Sequence, residues 1–205
     1  MTLGGLLHAF ADRSGVPVPS LDAAAATPVS SIAYDSRKAR AGSVFVALRG
    51  MHADGTAFAR QATSRGGVAA LSESAAPPDL QVVWVRVPDA RMALAALAAI
   101  FYGDPSEELV LVGITGTNGK TTTSYLLASV FEAAGITCGR IGTVGYRIGR
   151  KEIEAERTTP EAPELQAMIR EMVTHGSGAC VMEVSSHALA LKRADYLRFA
   201  AAIFT

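Results

Sequence analysis

Apolar positions along this chain follow two rhythms, a 3.6-residue spacing and short unbroken runs, and the two take turns from end to end. Residues 1–15 carry apolar side chains at helical spacing. Residues 29–34 and 43–48 are β-branched or aromatic and read as strands, with Gly42 marking the turn between them. Residues 55–65 predict a helix that stops at Gly66-Gly67, and residues 68–71 follow as a buried strand. Residues 82–87 predict another strand. Asp89 then caps a helix over residues 90–102, whose apolar face is wide. The alanine run at 23–26 is read as a loop.

Turn formers cluster at Gly103-Asp104-Pro105-Ser106, between a helix and a strongly apolar strand, which predicts a domain boundary. Two domains are expected, residues 1–104 and 105–205. Residues 109–115 are almost continuously apolar, as in a strand buried on both faces of a parallel sheet. A helix over 121–134 ends at Gly135, and residues 136–141 form the next strand. A helix over 161–175 starts after Pro160 and stops at Gly176. Residues 179–184 and 200–204 are two further strands. This alternation predicts the α/β class throughout, with right-handed crossovers and a doubly wound parallel sheet in the second domain. That sheet ends on a strand without a closing helix, so the second domain is expected to be incomplete.

Composition narrows the function. Hydrophobic residues make up 49% and charged residues 19%, an ordinary globular balance. Nineteen basic residues face nineteen acidic ones, so no broad field draws the chain to nucleic acid or an anionic membrane. An anionic ligand must then be held locally. Cys138 and Cys180 are far apart in sequence and read as core thiols of a reducing compartment. The N-terminus lacks the basic segment and apolar run of a signal peptide, and the longest apolar stretches are too short to span a bilayer. A cytoplasmic protein is expected.

The sharpest chemical signal is Gly113-Ile114-Thr115-Gly116-Thr117-Asn118-Gly119-Lys120-Thr121-Thr122, set between a buried strand and a helix. Glycines there let successive N–H groups converge on phosphate oxygens, and the helix start adds partial positive charge. Lys120 can reach the outer phosphates, and Thr121 carries the hydroxyl that completes a Mg²⁺ shell. Ile114 replaces the first glycine of the strict eight-residue pattern, leaving Gly-x-x-Gly-Lys-Thr. The loop alone does not separate a kinase from a switch or a ligase.

Residues Gly116 to Thr122 resemble the ATP loop of the Mur ligases and the folylpolyglutamate synthetases. Thr158-Thr159-Pro160 and Met182-Glu183-Val184-Ser185-Ser186-His187 are similar to central motifs of the Mur ligases that add the third amino acid. In the first domain, Asp35-Ser36-Arg37, Gly42-Ser43-Val44-Phe45-Val46-Ala47 and Gly50-Met51-His52-Ala53-Asp54-Gly55 resemble the uridine-binding domain of the same branch. The resemblance runs the length of the chain, in order.

It implies a ligase that activates a carboxylate of a UDP-N-acetylmuramoyl dipeptide with ATP and Mg²⁺, then joins an amino acid, diaminopimelate or lysine, through an acyl phosphate. By the same resemblance, Gly116, Thr117, Asn118, Gly119, Lys120, Thr121 and Thr122 bind ATP, and Thr121 and Glu183 hold the metal. Lys120, Glu183 and His187 take catalytic roles. Thr158, Thr159, Ser185 and Arg193 contact the sugar, pyrophosphate or peptide, while Ser36, Met51, His52 and Ala53 serve the uridine. Read alone, these residues have plainer meanings: a helix N-terminus for 158–160, an Asx-type turn at Ser36, a satisfied polar group for His187. Leu191 stands where some family members carry glutamine. The resemblance further implies a monomer, and downstream parts absent from this chain, among them the domain that selects the amino acid; the 205 residues alone are expected to be inactive. Two alternatives remain open, another ligase of the family (the D-alanyl-D-alanine-adding one) and a non-catalytic nucleotide- or UDP-sugar-peptide-binding remnant.

Overall fold

Thr2 begins the first helix: its hydroxyl accepts a hydrogen bond from the Gly5 amide (3.2 Å) and launches α1 (Leu3–Ser14), which buries Leu3, Leu6, Leu7 and Phe10. The computed structural model describes residues 1–50 and 54–205. It divides into two compact units, Met1–Phe101 and Tyr102–Thr205.

In the first unit, β1 (Ser31–Ala33), β2 (Ser43–Ala47), β3 (Ala69–Ser72) and β4 (Val83–Arg86) pair in parallel in that order. Asp54 opens the turn before α2 (Ala59–Ser64) by accepting from the Thr56 amide (2.9 Å), and Asp89 accepts from Met92 (2.9 Å) to start α3 (Ala90–Tyr102). Because side chains alternate across a strand, Phe45, Ala47 and Ala70 share one face, where Ala59 and Ala62 of α2 pack on them. The alanine run expected as a loop is a 3₁₀ turn, Asp22–Ala26; alanine's helical propensity wins there over the absence of an amphipathic pattern.

The second unit runs β5 (Val110–Thr115), α4 (Lys120–Ala133), β6 (Cys138–Ile141), β7 (Gly145–Ile148), β8 (Lys151–Glu154), α5 (Ala162–Thr174), β9 (Ala179–Glu183), α6 (Ser186–Ala190) and β10 (Ala201–Phe204). Its sheet has the order β10-β5-β9-β6-β7-β8. The first four strands in that order are parallel, as the buried runs predict. The last two correct the expectation of strict strand–helix alternation: β6, β7 and β8 are antiparallel neighbours joined by short turns. The few residues between β6 and β7 cannot carry a crossover, so the chain reverses on itself. The signal was present in the alternation of Tyr146, Arg147 and Ile148 before Gly149.

Strand alternation also sorts the second core. Leu111, Ile141, Tyr146, Ile148, Cys180 and Met182 pack with Leu165, Ile169 and Met172 of α5. Ile114, Cys138, Ala179 and Val181 form the other face with Ala128 of α4. Both cysteines are free and buried, and burial pushes the Cys138 thiol up to about 11, which removes thiolate chemistry at neutral pH.

Candidate active site

Glu183 ends β9 with the same parity as Ala179 and Val181, so its side chain emerges on the α4 face. Its strand neighbour in register is Ile114, one residue before the end of β5. The alternation and the register together bring this carboxylate to the start of the loop helix. Thr121 Oγ1 donates to Glu183 Oε2 at 3.0 Å.

The loop itself bends as its glycines allow. Gly116 sits at φ +132°, where a Cβ would collide with Thr205, and Gly119 sits at φ +81°. The amides of Thr117, Asn118 and Gly119 donate to no acceptor among the described residues. The Lys120 ammonium folds over the turn and donates to the carbonyls of Gly116 (2.7 Å) and Thr117 (3.4 Å). Exposed N–H groups, a helix start and one ammonium make a compact seat for a polyphosphate. Thr117, Asn118 and Thr122 are exposed beside it.

Two residues that sequence reasoning passed over complete the arrangement. Thr143 reaches Glu183 twice, from its amide to Oε1 (3.1 Å) and from its hydroxyl to Oε2 (3.0 Å). Gly142 lets the carboxylate lie against the backbone, because a Cβ there would overlap Glu183 Oε1. Both follow β6, at the C-terminal edge of the parallel strands, where ligand-binding loops of such sheets gather. That position was the available signal. Glu183 is fully buried, and all three of its donors are neutral. An oxygen-only set of this kind, a carboxylate beside a threonine hydroxyl and a phosphate seat, fits Mg²⁺. No group of three or more His, Cys, Asp or Glu side chains gathers among the described residues, so phosphate oxygens and water would supply the remaining ligands.

The second motif surrounds this centre. Thr158 lies half-buried with its hydroxyl 3.0 Å from that of Thr143. Thr159 is buried; its hydroxyl donates to the Glu183 carbonyl (2.9 Å) and accepts from the Ser185 amide (3.2 Å). Ser185 caps α6 by accepting from Ala188 (3.1 Å). Arg193 donates to the Thr159 carbonyl (3.0 Å) and pairs with Glu161 (2.8 Å), which Arg157 also reaches (2.9 Å). Thr159 and Arg193 are therefore braces as built, and Thr158 reaches the carboxylate only through the Thr143 hydroxyl. His187 is exposed in the first turn of α6, and its ring makes no hydrogen bond among the described residues.

In the first unit, Ser36 is buried and donates to Gln61 (2.6 Å). Its neighbours form the expected Asx turn: Asp35 accepts from the Arg37 amide (2.9 Å) and from its guanidinium (2.8 Å). Those bonds hold the Asp35 carboxyl down at about 2. Met51, His52 and Ala53 lie outside the described residues.

Comparison with known proteins covers both units. Residues 114–205 match the family model of the Mur ligase middle domain, and residues 28–102 match that of the Mur ligase family catalytic domain. The UDP-N-acetylmuramoyl-L-alanyl-D-glutamate–2,6-diaminopimelate ligase of Solibacter usitatus is 46% identical over 205 residues, all of this chain and 41% of that protein. A solved structure of a ligase with the same name superposes with a TM-score of 0.80 at 25% identity, over all of this chain and 40% of the other. The MurF ligase of Thermotoga maritima, solved in complex with ADP, shares the fold with a TM-score of 0.53 at 23% identity, over 78% of this chain and 32% of its own. The chain thus spans about two fifths of the length of these longer ligases.

Proposed function

The chain belongs to the Mur ligase family, and from that premise we propose that it carries the nucleotide-handling portion of a peptidoglycan ligase that adds 2,6-diaminopimelate to UDP-N-acetylmuramoyl-L-alanyl-D-glutamate. The observation that carries the proposal is the meeting of Thr121, Thr143 and Glu183 beside the phosphate loop. The choice of diaminopimelate rests on the name of the relatives. In this reading residues 1–104 hold the uridine nucleotide and residues 105–205 hold ATP at the phosphate loop.

The division of labour follows from charge. Transfer of the γ-phosphoryl group to the substrate carboxylate, and attack of an amine on the resulting acyl phosphate, both load negative charge onto oxygens. The loop amides and Lys120 meet that charge at the phosphate end. Glu183, oriented by Thr121 and Thr143, would hold Mg²⁺, which neutralises phosphate charge when bound. Thr158, whose hydroxyl lies beside that of Thr143, would offer it toward the acyl group or the sugar nucleotide. Ser185 and Arg193 shape the wall through α6 and the Glu161 pair. His187, at the exposed start of α6, would orient substrate from the solvent side. In this reading the chain works as a monomer in the cytoplasm on a soluble nucleotide precursor; no helix among the described residues is long and apolar enough to cross a membrane.

Calorimetric titration of the chain with Mg²⁺-ADP, and separately with the UDP-linked dipeptide, tests the reading. Both are expected to bind, and Lys120→Ala is expected to weaken the nucleotide by about tenfold while leaving the UDP ligand unchanged. Equal nucleotide binding by the variant would remove the loop from the mechanism.

A further inference from the structure

A second polar site lies where α4 crosses the hairpin end of the sheet. A cavity of about 390 Å³ opens there, walled by Tyr125 and Glu132 of α4, Arg140 of β6, Arg147 of β7 and Glu152 of β8. None of these residues takes part in the phosphate site. Alternation places Arg140 on the α4 face with Cys138, and the register sets Arg147 directly opposite Arg140 and Glu152 opposite Arg147. Two guanidinium groups on adjacent strands repel each other, so the arrangement needs negative charge close by.

The walls supply it unevenly. Glu132 is fixed, since Oε1 accepts from the Cys138 amide (3.1 Å) and pairs with Arg147 (3.4 Å). Glu152 is 62% exposed and holds Arg140 only through one long contact of 3.4 Å. Arg140 is 3% exposed, with its guanidinium 3.7 Å from the Tyr125 ring centroid. Its Nη1 is buried and has no acceptor among the described residues. A buried guanidinium nitrogen without an acceptor carries a desolvation penalty that a ligand oxygen would relieve.

The geometry points to a binding site for a small carboxylic acid, whose carboxylate takes both terminal nitrogens of Arg140 in place of Glu152. A planar anion matches the guanidinium fork with two parallel hydrogen bonds, where Glu152 manages one poor one. Glu152 stays with Arg147 after the exchange, 4.0 Å away. Arg140 and Arg147 balance Glu132 and Glu152, so a monoanion leaves one net negative charge in the site where a phosphate dianion would leave two, which disfavours the dianion. Tyr125 stacks on the guanidinium and holds it in place, so the ligand would reach the buried Nη1 from the cavity as the exposed Glu152 side chain moves aside.

Nuclear magnetic resonance of the 205-residue chain, titrated with sodium acetate and with sodium chloride at equal ionic strength, tests the site. Acetate is expected to shift the Arg140 Nε–H and Tyr125 ring signals saturably, and chloride is not. Glu152→Gln removes the competing carboxylate from an exposed position and is expected to tighten acetate by about threefold, the size of a partly exposed ion pair. Arg140→Met is expected to abolish the response. Equal shifts with chloride, a response that never saturates, or unchanged affinity in Glu152→Gln would overturn the proposal. The Glu152 variant decides the matter if Arg140→Met does not fold.

Discussion

Thr121 Oγ1 and Glu183 Oε2 lie 3.0 Å apart, so a hydroxyl in the first turn of the loop helix meets a carboxylate 62 residues further along the chain. The helix start and the strand end are thereby locked to each other at the point where nucleotide and metal would bind. Glu183→Gln keeps the shape and halves the carboxylate's capacity for a cation. Titration of ADP with and without Mg²⁺ is expected to show metal-free binding unchanged and the metal-dependent gain reduced by about tenfold. A full metal-dependent gain in the variant would take Glu183 out of the metal site.

Thr143 orients that carboxylate from the other side. Thr143→Val removes the hydroxyl and keeps the amide bond to Oε1, so metal-dependent nucleotide affinity is expected to fall by about threefold to tenfold. Thr143→Ser is expected to restore it. A merely structural role would show in the melting temperature and leave the metal dependence alone, and calorimetry beside thermal unfolding separates the two.

Gly142 touches Glu183 through the space a side chain would fill. Gly142→Ala forces the carboxylate or the β6–β7 turn to move, at about 1–3 kcal/mol. Urea unfolding of the variant is expected to show that loss. An unchanged midpoint would mean that the turn yields freely.

Thr159 is buried and serves two backbone groups at once. Thr159→Val preserves volume and strands the Ser185 amide, which is expected to cost about 1–3 kcal/mol. Denaturant unfolding measures it. A neutral substitution would show that the brace is dispensable and leave Thr159 to the substrate.

Much of this was legible beforehand because the signals were local. The glycines, Lys120 and Thr121 lie in one loop between a run of apolar residues and a helix, and Asp89 announces α3 within a few positions. Glu183 was found through its motif, but its partner Thr143 lies 40 residues earlier and carries no motif of its own. Only the sheet order, with β9 between β5 and β6, brings the two together. Arg193 and Thr159 were expected at the substrate through the family resemblance, with which a guanidinium and a hydroxyl for an anionic ligand agree. Their commitments to Glu161 and to backbone depend on packing that residue types do not express.

The Asp35–Arg37 pair gives the first unit a pH signature. Asp35 drops from an ordinary 3.8 to about 2 in the fold, so its contribution is complete above about pH 4 and fades as the pH falls toward 2. Arg37→Ala is expected to lower the melting temperature slightly at pH 6 and to match the parent below pH 2. A deficit that persists in strong acid would assign the effect to packing instead of charge.

The reversing hairpin at one end of the second sheet also bears on how the molecule behaves in a crowded solution. All four residues of its outer strand, Lys151, Glu152, Ile153 and Glu154, are exposed, and three are charged. An incoming strand seeking the unpaired hydrogen-bonding groups of that rim meets three charged side chains on a ribbon only four residues long. The parallel strands behind it are short, apolar and well suited to templating aggregates. The hairpin closes them off from that side, and the same few residues that break the strand–helix alternation act as a gatekeeper for the whole sheet.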